Sequence, residues 1–288
     1  MYYSYYGFKE PPFNLTPNSK FFFSSTKHNE ALSTLVYAIK ERKGFVVITG
    51  DIGSGKTTVC RTLLNQLDPQ TKTALIMHTN MSGKDLLMAI LEDWGIEVNP
   101  MSSKVKLQTQ INNYLIEQLG QNNNVVLIID EAQNLTTSVL EEVRMLSNLE
   151  TENEKLIQIV FLGQPELKDK LASPKLEQLR QRIAVYYHLT PLNTEDTKDY
   201  IRHRLKVASA SDKRYFTEKA VDRIFQFSKG VPRLINQVCD SALLSGYIAE
   251  LKTIDVDIIE EVISESPMTQ LIDNRKKNPA TISLPAHG

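Results

Sequence analysis

The sequence has little cysteine and no long apolar run. These two features argue against a disulfide-stabilised protein and against a membrane-spanning one. Only two cysteines, Cys60 and Cys239, occur among 288 residues, and both fall inside apolar helical patterns. This placement predicts buried thiols in a reducing compartment and argues against a disulfide framework. No apolar run approaches the ~20 residues that a membrane span needs, and the opening residues lack the basic region of a signal peptide. We therefore expect a cytoplasmic protein.

An excess of charge of either sign is also absent. The 33 Lys and Arg residues nearly cancel the 34 Asp and Glu residues, which leaves a formal net charge of −1, and no basic stretch stands out. This balance argues against a strong, charge-driven nucleic-acid binder, although a local basic patch is compatible with it. Apolar residues make up 41% of the chain, which is enough for a packed core.

Aromatic residues are concentrated at the start of the chain. Nine of the 22 lie within the first 23 positions, where Pro11, Pro12 and Pro17 prevent a continuous helix. An irregular aromatic segment stays soluble only if it packs onto something. We therefore predict that residues 1–27 form an arm that packs on the following domain.

The rest of the chain falls into three segments. Between residues 28 and 191, short apolar strands alternate with helical patterns, which is typical of an α/β fold with a parallel sheet covered on both faces. The predicted strands are residues 45–49, 73–78, 125–129, 156–162 and 185–189. Only helical periodicity follows over residues 192–265, which predicts a small helical domain. The polar residues 266–288 are expected to form a disordered tail.

The segment GDIGSGKT, Gly50 to Thr57, follows a predicted strand and opens a predicted helix. It matches G-x-x-x-x-G-K-[ST], the phosphate-binding loop (P-loop), whose backbone N–H groups surround phosphate oxygens. Lys56 is predicted to reach the β- and γ-phosphates of ATP, and the Thr57 hydroxyl to bind Mg²⁺. The residues predicted to contact the nucleotide in this segment are Gly50, Asp51, Ile52, Gly53, Ser54, Gly55, Lys56, Thr57 and Thr58.

Acidic and polar residues follow two other predicted strands. Asp130 comes at the end of the strand VVLII and is predicted to hold Mg²⁺ through water, while Glu131 is predicted to polarise the attacking water. This pair favours hydrolysis over nucleotide sensing, and over a small-molecule kinase, which needs no water-activating base. Gln164 follows the strand LIQIVFL; it either orients that water or belongs to an ordinary turn before Pro165.

Two further contacts with the nucleotide are predicted from local chemistry. Arg233 lies in the first turn of a predicted helix, where its charge opposes the helix dipole unless an anion such as a phosphate lies opposite. The adenine of ATP needs an apolar cover, for which Pro12 and Phe13 of the arm are the candidates. The alternative is that these two residues only cover the surface of the fold.

These motifs, followed by GQPEL, LRQR-I-x-x-YHL-x-PL and G-x-PR-x-IN-x-x-CD-x-AL, resemble the ExeA-type AAA+ ATPases, the general-secretion and MshM-like family, over residues 2 to about 265. The resemblance implies a five-stranded parallel sheet in the order 5-1-4-3-2, a C-terminal helical lid, and ATP held between core and lid. It implies the roles of Walker B pair for Asp130 and Glu131, sensor 1 for Gln164 and sensor 2 for Arg233. Gln164 departs from the Asn, Ser or Thr commonest at sensor 1.

The same resemblance implies an ATP-dependent homo-oligomer, a ring or a filament. Arg180 and Arg182 then face the γ-phosphate of the neighbouring subunit, as an arginine finger. Residues two apart on a helix point in nearly opposite directions, so one of the two reaches that phosphate. We choose Arg182, which is nearer the helix end, and expect Arg180 to pair with an acidic neighbour such as Glu177.

Two classes of function remain. The favoured one is an oligomeric ATPase that drives or regulates the assembly of a secretion, pilus or polysaccharide export machine. The chain carries no membrane span after the helical segment and no cell-wall-binding domain. A short form is therefore expected, which is cytoplasmic or peripheral at the inner membrane and docks on a membrane-associated partner protein. The alternative is a DNA-associated, TnsC-like ATPase of transposition, for which Lys168, Lys170 and Lys175 are the best basic candidates. A third class, a nucleotide switch that does not hydrolyse ATP, would require that Glu131 take no part in catalysis.

Overall fold

The computed structural model describes residues 2–150, 154–209 and 213–265, and the predicted tail at 266–288 lies outside these ranges. The chain divides into two units. The core unit comprises Pro17–Pro191, and the helical unit comprises the residues up to Thr16 together with those from Leu192 on. No helix within the described ranges combines the length and apolarity needed to cross a bilayer.

The core unit is built on a five-stranded sheet. Its strands are β1 Phe45–Gly50, β2 Lys72–Ile76, β3 Val125–Ile129, β4 Gln158–Gly163 and β5 Ile183–Leu189. They lie in the order β2-β3-β4-β1-β5 with every pairing parallel, which confirms the predicted α/β class and the order 5-1-4-3-2. The carboxyl ends of β1, β3 and β4 therefore meet at one edge, where an open parallel sheet binds its ligands.

Helices cover both faces of this sheet. The described helices of the whole chain are α1 Tyr2–Tyr6, α2 Thr26–Lys40, α3 Lys56–Gln66, α4 Gly83–Asp93, α5 Lys104–Gly120, α6 Thr137–Leu146, α7 Glu166–Leu171, α8 Glu177–Gln181, α9 Thr194–Ser209, α10 Glu218–Ser228, α11 Pro232–Ile248 and α12 Val256–Glu265. Successive strand residues point to opposite faces, so Phe45 and Val47 pack among α4 to α8 while Val46 and Ile48 pack on α2 and α3. Both faces of the central strands β1, β3 and β4 are thus buried, as their continuous apolar runs predict, whereas the edge strand β5 alternates between half-buried and exposed residues up to Leu189.

The aromatic arm is divided between the two units, whereas residues 1–27 were predicted to pack as one arm on the core: the residues up to Thr16 belong to the helical unit and those from Pro17 on to the core unit. In the helical unit, the rings of Tyr6 and Phe8 lie 5.8 Å and 4.8 Å from the Tyr215 ring. The Phe13 ring meets Phe216 edge-on at 6.3 Å. The physical reason for the division is that these rings find buried aromatic partners, Tyr215 and Phe216, in the segment between α9 and α10.

A buried arginine fixes the irregular backbone of this part of the arm. Arg204 of α9 is 7% exposed, and its guanidinium donates to the carbonyl oxygens of Pro12 (2.5 Å) and Asn14 (3.2 Å). It also donates to the Tyr200 hydroxyl (2.9 Å), which donates in turn to Asn236 Oδ1 (2.9 Å). Buried carbonyl groups need hydrogen-bond donors, and this segment of the arm has no helix or strand partner that supplies them. Arg204 provides these donors instead.

Candidate nucleotide-binding site

The loop between β1 and α3 has the backbone of an anion cradle. Gly53 and Gly55 have φ values of +79° and +102°, a left-handed region that favours glycine. A Cβ at Gly50 would lie 2.7 Å from the Leu189 carbonyl oxygen and 2.8 Å from Ser54 Oγ, so only glycine fits there. No side chain caps the N-terminus of α3, which leaves its N–H groups available to an anion. The predicted P-loop residues therefore fit a phosphate chain.

Lys56 is the first residue of α3 and lies under this loop. Its side chain is 6% exposed, and Nζ donates to the carbonyl oxygens of Gly50 (2.7 Å) and Asp51 (2.9 Å). Burial lowers the pKa of the Lys56 ammonium, and the carboxylates of Glu131 and Asp130 oppose that shift. A phosphate chain in the cradle would lie beside this buried cation.

Two oxygen groups suited to Mg²⁺ lie next to the P-loop. The Thr57 hydroxyl donates to Asp130 Oδ2 at 2.9 Å, and Asp130 is 4% exposed at the carboxyl end of β3. The other carboxylate oxygen, Asp130 Oδ1, accepts the Glu131 N–H at 2.9 Å. Hydroxyl and carboxylate oxygens are the ligands that Mg²⁺ uses in phosphate sites, so the donor set fits the predicted ion.

The Glu131 carboxylate is held by two amide side chains. Its Oε2 atom accepts hydrogen bonds from Gln133 Nε2 at 2.5 Å and from Gln164 Nε2 at 3.0 Å. Gln133 Oε1 accepts the Gln164 backbone N–H at 3.0 Å, which links the two amides. Among the described residues, Glu131 Oε1 has no hydrogen-bond partner, so it is the oxygen available to a water. The Glu131 backbone is left-handed, with φ +51°, which is uncommon outside glycine and typical of functional sites.

Comparisons with known proteins agree with this geometry. Residues 39–171 match the family model described as an AAA domain. The chain is 42% identical over 247 residues to general secretion pathway protein A of Aeromonas hydrophila, which covers 86% of this chain. The chain belongs to the ExeA-type AAA+ ATPases. It spans 45% of the length of that relative.

Solved structures support the AAA+ fold of this family member. The ADP form of the Aeropyrum pernix ORC2 protein matches with a TM-score of 0.66 at 12% identity, over 93% of this chain and 81% of that one. The Aeropyrum pernix ORC1 protein in complex with DNA matches with a TM-score of 0.65 at 14% identity, over 94% of this chain and 73% of that one. At such low identity the likeness shows the fold alone.

Gln133 was not among the predicted site residues, whereas Gln164 was predicted as a residue that could orient the attacking water. The available sequence signal was an amide residue two positions after the acidic pair. In the structure, Gln133 lies on a short 3-10 helix, Ala132–Asn134. Lys170 of α7 supports this turn, since its Nζ donates to the carbonyl oxygens of Leu135 (2.8 Å) and Gln133. Lys170 was proposed as a DNA contact, and this engagement gives it a structural role in the AAA+ core. Lys168 and Lys175 are exposed.

We expect Gln164→Leu to lower the turnover of ATP about tenfold while leaving ATP affinity unchanged. The substitution removes one hydrogen bond to a charged oxygen, so the carboxylate of Glu131 is held less firmly in the orientation that meets water. Steady-state phosphate release and calorimetry with ATP measure the two quantities. Gln178→Leu, at an exposed amide on α8, is the matched control. Unchanged turnover in the Gln164 variant would contradict the orienting role.

The predicted finger arginines of this AAA+ chain differ in their surroundings. Arg182 is half-buried, and its guanidinium donates to the Ser147 carbonyl (3.1 Å) and Ser147 Oγ (3.0 Å) at the C-terminus of α6. Arg180 is exposed and donates to the Ala172 carbonyl (3.1 Å) at the C-terminus of α7. The predicted ion pair with Glu177 is wrong among the described residues. Arg180 instead donates to the carbonyl end of α7, where the helix dipole places a partial negative charge.

The remaining predicted contacts lie in the helical unit. Arg233 is the second residue of α11 and is exposed, and its role toward a phosphate stays a prediction. Pro12 is buried, and the Phe13 ring is 1% exposed with the Arg204 guanidinium 6.0 Å from its centre. These positions support the packing interpretation of the two residues, and their contact with adenine stays a prediction.

Proposed function

We propose that this AAA+ chain binds ATP with Mg²⁺ and hydrolyses it, with Glu131 as the general base. The observation that carries this proposal is the Glu131 carboxylate, held at Oε2 by Gln133 and Gln164 on the same sheet edge as the P-loop. Mg²⁺, when bound beside Thr57 and Asp130, would supply charge neutralisation at the phosphates. The loop N–H groups and Lys56 bind the phosphates, and Glu131 Oε1 accepts a proton from the attacking water.

We further propose that the chain acts as an ATP-dependent homo-oligomer, a ring or a filament, with an arginine supplied to each site by the neighbouring subunit. Its task is the assembly of a secretion, pilus or polysaccharide export machine, through a membrane-associated partner protein. The 42% identity to general secretion pathway protein A supports this assignment. The DNA-associated alternative has less support, because Lys170, one of its three basic candidates, is engaged within the core.

The test of nucleotide binding is Lys56→Ala. We expect the affinity for Mg-ATP to fall by about 100-fold, because the variant removes the buried cation and its charge-assisted bonds to the phosphates. Calorimetry with Mg-ATP measures the change, and Lys175→Ala, at an exposed lysine of the same unit, is the control that retains wild-type affinity. Equal affinities in the two variants would mean that the loop is not the binding site.

A further inference from the structure

A buried histidine contacts the P-loop from outside the nucleotide motifs. His28 lies in the first turn of α2 and is 5% exposed. Its Nε2 atom is 3.0 Å from the Ser54 carbonyl oxygen, and its Nδ1 atom is 2.8 Å from Ser25 Oγ. Ser25 is the N-cap of α2, so the ring joins the start of this helix to the tip of the loop.

The chemistry of the partners fixes the proton on this ring. A carbonyl oxygen only accepts hydrogen bonds, so His28 Nε2 carries the hydrogen and donates it to Ser54. In the neutral imidazole, the Nδ1 lone pair then accepts the hydroxyl of Ser25. The Phe22 ring packs edge-on against the imidazole at 6.2 Å. His28 is thus held in one orientation by contacts at both ring nitrogens and with the Phe22 ring.

This anchor acts on the peptide that joins Ser54 to Gly55. A trans peptide is planar, and its C=O and N–H groups point in opposite directions. A carbonyl oxygen bound to His28 therefore turns the Gly55 N–H away from the ring. Gly55 has φ +102°, and a Cβ there would lie 2.7 Å from His28 Nε2. The imidazole and the glycine are therefore in direct contact.

We propose that His28 is a positioning residue of the P-loop, which holds the Ser54–Gly55 peptide so that the Gly55 N–H is directed at a phosphate of the bound nucleotide. The proposal rests on the proposed nucleotide binding and adds a residue that no P-loop motif contains. Without this hydrogen bond the peptide can rotate more easily, because Gly53 and Gly55, on either side of Ser54, tolerate many backbone conformations. A loop that must be ordered on binding binds its phosphate more weakly.

Two substitutions separate the hydrogen bond from the packing. His28→Phe keeps an aromatic ring between Phe22 and Gly55 but removes the donor. His28→Gln keeps an N–H donor at a similar reach. We expect the Kd for Mg-ADP, measured with a fluorescent ADP analogue and by calorimetry, to rise about tenfold in His28→Phe and to stay within about threefold of wild type in His28→Gln. In steady-state hydrolysis, the KM for ATP rises in His28→Phe more than kcat falls.

The controls distinguish the possible failures. A melting temperature that falls in His28→Phe with an unchanged Kd for Mg-ADP would mean that His28 is a packing residue, and the proposal would be overturned. If Lys56→Ala also binds Mg-ADP as wild type does, the proposed nucleotide site fails instead. Should His28→Phe not fold, Ser25→Gly removes the hydroxyl that holds the ring, at an N-cap position where glycine is well tolerated. An approximately threefold rise in Kd is expected there, and no rise would overturn the proposal.

Discussion

Glu131→Gln is expected to bind Mg-ATP within about threefold of wild type and to hydrolyse it about 10²- to 10⁴-fold more slowly, the range lost when a general base is removed. A neutral amide cannot accept a proton from water, whereas its carbonyl oxygen can still accept the hydrogen bonds of Gln133 and Gln164. The substitution therefore changes the base strength of one atom, Oε1, and leaves the polar network around it in place.

Calorimetry measures the affinity for Mg-ATP, and steady-state and single-turnover phosphate release measure the chemical step. Glu166→Gln is the matched control, because Glu166 is an exposed carboxylate in the first turn of α7 that interacts electrostatically with Lys56. We expect its turnover to stay within about threefold of wild type, since an exposed charge is screened by solvent and contributes little interaction energy. Hydrolysis at the wild-type rate in Glu131→Gln would remove Glu131 from the role of base.

The fold could be predicted from the sequence where its signals were local. The run VVLII is bounded by polar residues on both sides, and the predicted strand matches β3 residue for residue. The glycine pattern at Gly50–Thr57 needs no distant partner to be understood, because the left-handed backbone is a property of the glycines themselves. Helix α7 was not predicted, since its six residues are too few to display a helical period.

The contacts that were missed are those between residues far apart in the chain. His28 and Ser54 are 26 positions apart, and Arg204 and Pro12 are 192 positions apart. Sequence reasoning identified the aromatic arm and its need for burial, yet no local pattern said that α9 rather than the sheet would supply the partner. In the same way, nothing in the sequence distinguishes Gln133 from the other amide residues, because its role depends on the contact with Glu131 that the folded chain forms.

The choice between the two predicted finger arginines stays a prediction, and their contacts favour Arg180 over Arg182. Arg182 donates twice to Ser147, which is 3% exposed and forms the C-cap of α6, so its charge already serves the end of a helix in its own subunit. Arg180 is exposed, and among the described residues its only hydrogen bond shorter than 3.5 Å is made to the Ala172 carbonyl oxygen. An arginine that must reach a neighbouring subunit needs a guanidinium that can leave its own, and Arg180 meets this requirement better.

Arg180→Ala is therefore expected to bind ATP as wild type does and to lose about 10³-fold or more in turnover, the scale of an arginine supplied in trans. Arg182→Ala is the paired control: it should lower the melting temperature, because the α6 carbonyl end loses its donor, while the folded protein keeps turnover within about threefold. Phosphate release and a thermal melt on both variants measure this split. The opposite split would return the role to Arg182.

Mixing variants tests whether the arginine acts between subunits. Glu131→Gln protein has an inactive site but an intact Arg180, and Arg180→Ala protein has the reverse. In a mixed assembly, some interfaces join an intact site to an intact arginine, so turnover should rise well above that of either variant alone. The rise should depend on protein concentration, because the assembly forms by association. Turnover that is independent of concentration, with no gain on mixing, would mean that each chain hydrolyses ATP by itself and that Arg180 serves only its own surface.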